Sequence, residues 1–256
     1  MLFDSHAHYD DEKFDADRYE VIEKLHNEGV GYVVNAASNL PSAIDCITLA
    51  QRYDFVYAAI GIHPQDVSNI NENTLATVSD FAGHERVVAI GEIGLDYYYE
   101  NSPRDVQQYW FSRQISMARD LKLPVVIHDR DAHEDTLKII KQEKAGETGG
   151  VLHCFSGSVE MALELIENNF YISFGGTVTF KNARKSIEVV KAIPEDRLLL
   201  ETDSPYLAPE PFRGKRNYSG YLKYIAQKVA DIKGVSYERI AQITTENAKK
   251  LFGISS

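Results

Sequence analysis

The chain has 256 residues, 44% hydrophobic and 25% charged, which excludes disordered and low-complexity architectures and leaves ample chain for a large core. Its 27 Lys and Arg against 38 Asp and Glu give a net charge of −11; this argues against sequence-independent wrapping of duplex DNA but not against a cleft whose divalent cations reverse the local field. No run approaches about 18 apolar residues and no basic-then-apolar leader precedes the first motif, so a cytoplasmic protein with no membrane partner is expected.

Short apolar runs alternate with longer amphipathic ones along the whole chain. A strand over 2–4 is followed by a helix over 18–28 that Gly29 closes, a strand over 32–35, and a helix over 42–53 with Pro41 at its start. Strands over 56–60 and 87–90 enclose a helix over 72–81, and a helix over 105–121 leads to a strand over 125–127. Strands over 151–152, 171–174 and 198–200 follow helices over 134–142, 159–167 and 183–192. Helices over 221–232 and 237–251 end the chain. Eight strands of continuous apolar character, each followed by a helix, point to a parallel (β/α)8 barrel with one additional C-terminal helix. An open doubly wound sheet is the competing arrangement. No linker-like composition divides the chain, so residues 1–256 read as one domain. Cys46 and Cys154 form neither a disulfide framework nor a CxxC metal site and read as small hydrophobes.

Chemistry collects where the strands end. Asp4-Ser5-His6-Ala7-His8 follows the first strand, and two histidines one residue apart point the same way on an extended chain. Glu92 follows the fourth strand, His128 the fifth, His153 the sixth, and Glu201 with Asp203 the eighth. In a barrel these edges form one rim, where active sites are built. Four imidazoles and two carboxylates there fit two divalent ions of Zn, Mg, Mn or similar type, and the lack of a thiolate disfavours a closed structural zinc site. Two such ions activate a water and stabilise charge on a phosphoryl or carbonyl oxygen. Glu92 is the natural bridge, and Asp203 a ligand able to take the water's proton. Candidate nucleic-acid contacts are the basic loop Arg213, Lys215 and Arg216, a second patch of Lys181, Arg184 and Lys185, and the aromatics Tyr97, Tyr98, Tyr99 and Phe155.

Together FDSHAH at 3–8, GIHP at 61–64, GEIGLDY at 91–97, PVVIHDRDA at 124–132, HCFSG at 153–157, ETDSPYL at 201–207 and RGKRN at 213–217 resemble the TatD-family metal-dependent deoxyribonucleases, within the amidohydrolase-like metal-hydrolase barrels. The resemblance runs over nearly the whole chain. It implies one ion held by His6, His8 and Asp203, a second by His128 and His153, and a Glu92 bridge. It places His63 near the site in a substrate or supporting role, and Glu201 behind a ligand. The implied activity is hydrolysis of DNA phosphodiesters, as a 3′-5′ exonuclease preferring single strands. One departure stands out: Tyr218-Ser219-Gly220 replaces the acidic residue and Pro usual after RGKRN. That loop is expected at the rim, where it would touch substrate preference. Two other readings remain open from the residues alone. One is an amide, lactone or phosphotriester hydrolase, although no lysine stands at the fourth strand end. The other is a non-catalytic metal-binding interaction protein. No obligate protein partner is evident, and a monomer acting on DNA ends or another phosphodiester is expected.

Overall fold

Eight runs dominated by Val, Ile, Leu, Phe and Tyr are too short and too uniformly apolar to be surface helices, and they bury both faces. In the structure, a computed structural model that describes residues 1–99 and 101–255, they are β1 (Leu2–Ala7), β2 (Val30–Ala36), β3 (Val56–Ile60), β4 (Val87–Asp96), β5 (Val125–Arg130), β6 (Gly150–Leu152), β7 (Phe170–Phe174) and β8 (Leu198–Leu200). They pair in sequence order, every neighbour parallel. Parallel neighbours need crossovers, and helices supply them: α1 (Arg18–Lys24), α2 (Leu40–Arg52), α3 (Glu72–Phe81), α4 (Arg104–Leu121), α5 (His133–Gln142), α6 (Val159–Glu167), α7 (Arg184–Ala192) and α8 (Leu222–Lys233), with α9 (Tyr237–Phe252) added at the end. This is the TIM-type barrel that strand count and spacing predict.

Local chemistry sets the helix ends. Asn39 accepts from the Ser42 N–H at the start of α2, so the helix begins before Pro41. Asn71 and Thr74 form a reciprocal cap on α3. The first predicted helix is shorter than its pattern: α1 stops at Lys24, a 3-10 turn over His26–Glu28 follows, and Gly29 ends it in the left-handed region at φ 90°.

The buried apolar side chains divide in two. The larger set joins strands to helices. The smaller set takes at least one residue from every strand, Phe3, Val34, Ala36, Ala59, Val88, Ala89, Val126, Val151, Tyr171 and Leu199, and is the barrel interior. Phe252 of α9 stacks on Phe3 with ring centroids 5.9 Å apart and plugs the end opposite the rim.

The barrel closes between β1 and the segment after β8. Asp203 N–H donates to His6 O at 2.9 Å, and His8 N–H donates to Ser204 O at 2.7 Å. Ala7 and Ser204 form an isolated parallel bridge. The buried Asp4 carboxylate accepts from Thr202 N–H (2.9 Å) and from Thr202 Oγ1 (2.6 Å).

Two strands run further than their apolar cores suggest. β4 continues through Glu92 to Asp96, and β5 through His128 to Arg130. Residues Ile93–Asp96 pair with Ile127–Arg130, so polar residues that read as loop are held in a ladder. Gly94 makes that pairing fit. Its φ is +144°, and an added Cβ would stand 2.0 Å from His128 O. Gly94→Ala is therefore expected to cost on the order of 3 kcal/mol, read as a lowered urea midpoint with the slope unchanged. An unshifted midpoint would show that β4 and β5 part there without cost.

Candidate metal centre

Six strand ends bring five imidazoles and two carboxylates into one space. β1 carries His6, and His8 lies just past its end; Glu92 is in β4 and His128 in β5; His63, His153 and Asp203 follow β3, β6 and β8. Glu92 is 3% exposed and stands between two groups. Its Oε2 faces His6 Nε2 at 3.4 Å and His8 Nε2 at 3.6 Å. Asp203 Oδ1 completes that side, 3.4 Å from His8 Nε2 and 3.8 Å from His6 Nε2. Glu92 Oε1 faces His128 Nδ1 and His153 Nε2, each at 2.8 Å, and His63 Nε2 at 3.6 Å. Three triplets have donor atoms close enough to share an ion: His6, His8 and Asp203; His6, Glu92 and His153; His63, Glu92 and His128.

The outward ring nitrogens decide which atoms face inward. His8 Nδ1 lies 2.8 Å from Ala36 O, so Nδ1–H is the donor and Nε2 carries the lone pair. His128 Nε2 lies 3.2 Å from Asp96 Oδ2, which leaves the Nδ1 lone pair facing Glu92 and His153. His153 Nδ1 points to Glu201 Oε1 at 3.6 Å, and that oxygen also accepts Cys154 N–H at 2.6 Å. Inward nitrogens then meet at 3.0 Å (His6 and His8) and 3.3 Å (His128 and His153). Lone pairs that close repel unless a positive species lies between them. Imidazoles and carboxylates without a thiolate suit divalent ions such as Zn, Mn or Mg, so the donor set fits the implied group.

Protein charges alone show the same demand. Burial would raise the Glu92 carboxyl, but His153, His63, His6 and His128 outweigh it and hold the group well below the usual carboxylate range. Burial likewise opposes ionisation of Asp203, while His8, His153 and His6 lower it. Burial favours a neutral His8, yet Asp203 and Glu92 push it up to about 9. Two ionised acids thus compete for positive charge in a buried space. Left-handed backbone occurs here too, at Cys154 (φ 45°) and Asp203 (φ 56°).

The cavity above Glu92 has a volume of about 630 Å³. His8, His63, His128, His153 and Asp203 reach it, with Tyr99, Tyr206 and Arg130 on the wall. Asp10, Asp11 and Asp66 also line it, so Arg130 is the one Lys or Arg among the described lining residues. The Arg130 guanidinium lies over the Tyr98 ring at 4.0 Å and the Tyr99 ring at 4.9 Å.

The predicted basic loop is elsewhere. Arg216 donates to both Asp17 carboxylate oxygens and to Lys13 O, which ties the loop after β8 to the segment before α1. Arg213 lies over Phe180 at 4.4 Å, and Lys215 is exposed. None of the three lines the cavity. Arg184 pairs with Glu188, within its own helix. Phe155 is buried, and Tyr97 is half-buried with the Arg104 guanidinium over its ring at 4.4 Å; Tyr98 and Tyr99 are exposed. Tyr218-Ser219-Gly220 does not line the cavity. Tyr9 Oη donates to Ser219 Oγ at 2.8 Å, and Ser219 and Gly220 are buried.

Several site residues escape the sequence pattern. Asp96 holds His128, and it shares a strand face with Glu92 at even spacing, a signal obscured by treating 91–96 as loop. Asn217 Nδ2 donates to Thr202 O and Tyr206 O, both at 2.7 Å, and braces the turn that carries Asp203. Gln65 joins Asp96 through its Nε2 at 2.8 Å.

Comparison with known proteins agrees with this architecture. A family model described as TatD related DNase matches residues 3–253. The uncharacterized metal-dependent hydrolase YabD of Bacillus subtilis (strain 168) is 51% identical over 255 residues, covering 100% of both chains. A relative from Rahnella sp. (strain Y9602), named 3′-5′ ssDNA/RNA exonuclease TatD, is 35% identical and covers 95% of each chain. The crystal structure of YjjV, a TatD homologue from Escherichia coli K12, matches with a TM-score of 0.93 at 29% identity, covering 99% of this chain and 98% of that one. The chain belongs to the TatD-related DNase family and is a metal-dependent hydrolase.

Proposed function

We propose that this protein hydrolyses phosphodiester bonds at DNA ends, trimming single strands from the 3′ end, with residues 1–256 acting as one catalytic domain. The observation that carries the reading is the placement of Glu92, whose two oxygens face two separate sets of donors. His6, His8 and Asp203 with Glu92 Oε2 would hold one divalent ion, and His128 and His153 with Glu92 Oε1 a second. When bound, such ions supply Lewis-acid activation of water and neutralise charge on the phosphoryl group.

The protein's own groups do the rest. Asp203, ionised and aimed into the cavity, is placed to take the proton of the attacking water. Asp96 fixes the His128 ring from behind, as carboxylates commonly do for metal-bound imidazoles, and the Glu201 carboxylate stands behind His153 at 3.6 Å. Arg130 offers planar donors to a phosphate at the cavity mouth. The exposed Tyr98 and Tyr99 rings beside it present faces on which bases stack. The cavity volume falls in the small-molecule range of roughly 300–1,000 Å³, which suits a strand end and not a duplex. Glu92 stands within β4 where a carbamylated lysine bridge would need a Lys, which favours this reading over amide or lactone cleavage.

The direct test is release of label from end-labelled single-stranded DNA by metal-loaded protein. Stepwise release from the 3′ end is expected, abolished by chelation and lowered at least about 10²-fold by Asp203→Asn. DNA left intact while cyclic amides, lactones or triesters are cleaved would move the function to that class. A metal-loaded protein inert toward all of them would leave a binding role.

Two further outcomes follow from the same geometry. Glu201→Gln, which removes the charge behind His153, is expected to weaken metal binding by about 10–100-fold in calorimetry while the far-UV spectrum is unchanged. Arg130→Ala is expected to raise KM for single-stranded DNA severalfold with kcat largely kept, and to reduce the salt slope of binding by about 0.7. An unchanged slope would remove Arg130 from the phosphate path.

A further inference from the structure

The cavity wall is polar or aromatic throughout, with one exception. Leu207 is the single aliphatic side chain among the described lining residues. It is 39% exposed and belongs to neither apolar cluster of the barrel. An apolar side chain left open at the mouth of a charged cavity gains less from folding than a buried one and keeps a surface for a ligand. Its backbone is unfavourable as well. Leu207 has φ 51°, in the left-handed region that residues with a bulky side chain rarely enter.

The surroundings hold it there. Gly176 lies so close to the Leu207 carbonyl that an added Cβ would stand 2.0 Å from the oxygen. Before Leu207, Tyr206 N–H donates to Asp203 O at 2.8 Å, and Asn217 Nδ2 donates to Tyr206 O at 2.7 Å. After it, Glu210 N–H donates to Thr179 Oγ1 at 2.9 Å. The chain is thus pinned on both sides of Leu207. The neighbouring aromatic is committed elsewhere: Tyr206 Oη donates to Asp11 Oδ2 at 2.5 Å, and Lys13 Nζ lies 4.1 Å from the centre of its ring. Tyr99, exposed on the same cavity wall, follows β4, and in an eight-stranded ring β4 and β8 are opposite one another. A strand end that reaches Glu92 therefore enters between loops that carry the Tyr99 ring on one side and Leu207 on the other.

From this we infer that Leu207 is a wedge that enters between the last base of the strand and the one before it, and that it selects ends whose bases part readily. The inference rests on the phosphodiester reading above. A base presents a flat apolar face, and an aliphatic side chain inserted at a base step replaces base–base contact with base–leucine contact. Asp10, Asp11 and Asp66 on the same wall cannot serve, because a carboxylate pressed against a base face loses its water without a partner. Extracting a base from its stack is least costly when it is already unpaired. The wedge therefore supplies a physical reason for a preference for single strands: a paired end has its hydrogen bonds to lose as well as its stacking.

The test uses metal-loaded protein and short single-stranded DNA. One oligonucleotide carries 2-aminopurine, whose emission stacking quenches, as its last base, and a phosphorothioate at its last linkage to slow cleavage. Binding to wild type is expected to raise the emission severalfold. Leu207→Gly, which adopts the left-handed backbone freely, is expected to bind without that rise, and Leu207→Met, of similar bulk, to restore most of it. On cleavable DNA, Leu207→Gly is expected to lower kcat/KM about tenfold for a strand ending in two adenines and no more than about twofold for one ending in two thymines, whose stacking is weaker. The urea midpoint of Leu207→Gly is expected at or above that of wild type, since the substitution removes the backbone strain along with the side chain. Equal loss on both strand ends, emission unaffected by the substitution, or a lowered midpoint would each overturn the inference, the last by marking Leu207 as packing. DNA that brightens on wild type and not on Leu207→Gly, yet is never cut, would keep the wedge and remove the hydrolytic reading. Stepwise cleavage with no difference between wild type and Leu207→Gly would do the reverse.

Discussion

Two backbone hydrogen bonds join the first strand to the segment after the last, and the site exists because of them. β8 is three residues long and ends at Leu200. Beyond it the chain runs alongside β1, with Asp203 N–H on His6 O and Ser204 O on His8 N–H. Each bond is individually modest, about 0.5–1.5 kcal/mol net. Buried beside them, the Asp4 carboxylate clamps both the amide and the hydroxyl of Thr202, and the Asn217 carboxamide holds the turn from the other side. Closure of the barrel and convergence of His6, His8 and Asp203 are therefore one event. The left-handed backbone at Asp203 is tolerated because these partners fix it from both sides.

Around that seam the site is ordered outward from Glu92. Nearest are the imidazoles, then the groups bonded to their outer nitrogens: Ala36 O for His8, Asp96 for His128 and Gln65 N–H for His63, with Glu201 behind His153 at 3.6 Å. Asp96 is the most connected of these. It accepts from Gln65 Nε2 and from the Tyr98 and Tyr99 amides while it faces His128. It thereby ties the metal-facing ring to the tyrosines that flank Arg130. Low dielectric makes each satisfied link in such a network stronger and each broken one more costly.

Much of this was legible in the chain. Apolar runs with period-3.6 stretches between them point to a parallel β/α arrangement, since only strands covered on both faces are so uniformly apolar. Closure into a barrel and not an open doubly wound sheet is seen only in the pairing of the strands and the bridge from Ala7 to Ser204. The positions of His6, His8, Glu92, His128, His153 and Asp203 at strand ends are enough to bring them together once the barrel closes. What sequence pattern misses is direction and pairing. RGKRN reads as a phosphate-binding loop because charge is visible in sequence, whereas the partner of Arg216, Asp17, lies 199 residues away and is not. Arg130 reads as an ordinary residue after His128, because nothing local shows that it will be a cation on an acidic cavity wall. Strand ends at β4 and β5 are underestimated because polar residues look like loop, although the ladder continues through them.

The order of the chain has a consequence for biosynthesis. Asp4 and Thr202, which clamp the seam, are separated by 198 residues. A ribosome adding about 5–20 residues per second needs roughly 10–40 s to pass from one to the other. Throughout that time the nascent polypeptide carries His6 and His8 without Asp203 and without a closed barrel. A chain released before residue 203 holds most of the imidazoles but lacks the carboxylate placed to take a proton. Stalled or truncated translation products that stop short of it therefore lack part of the candidate metal centre, which is complete only once residue 203 has been added and the seam has closed.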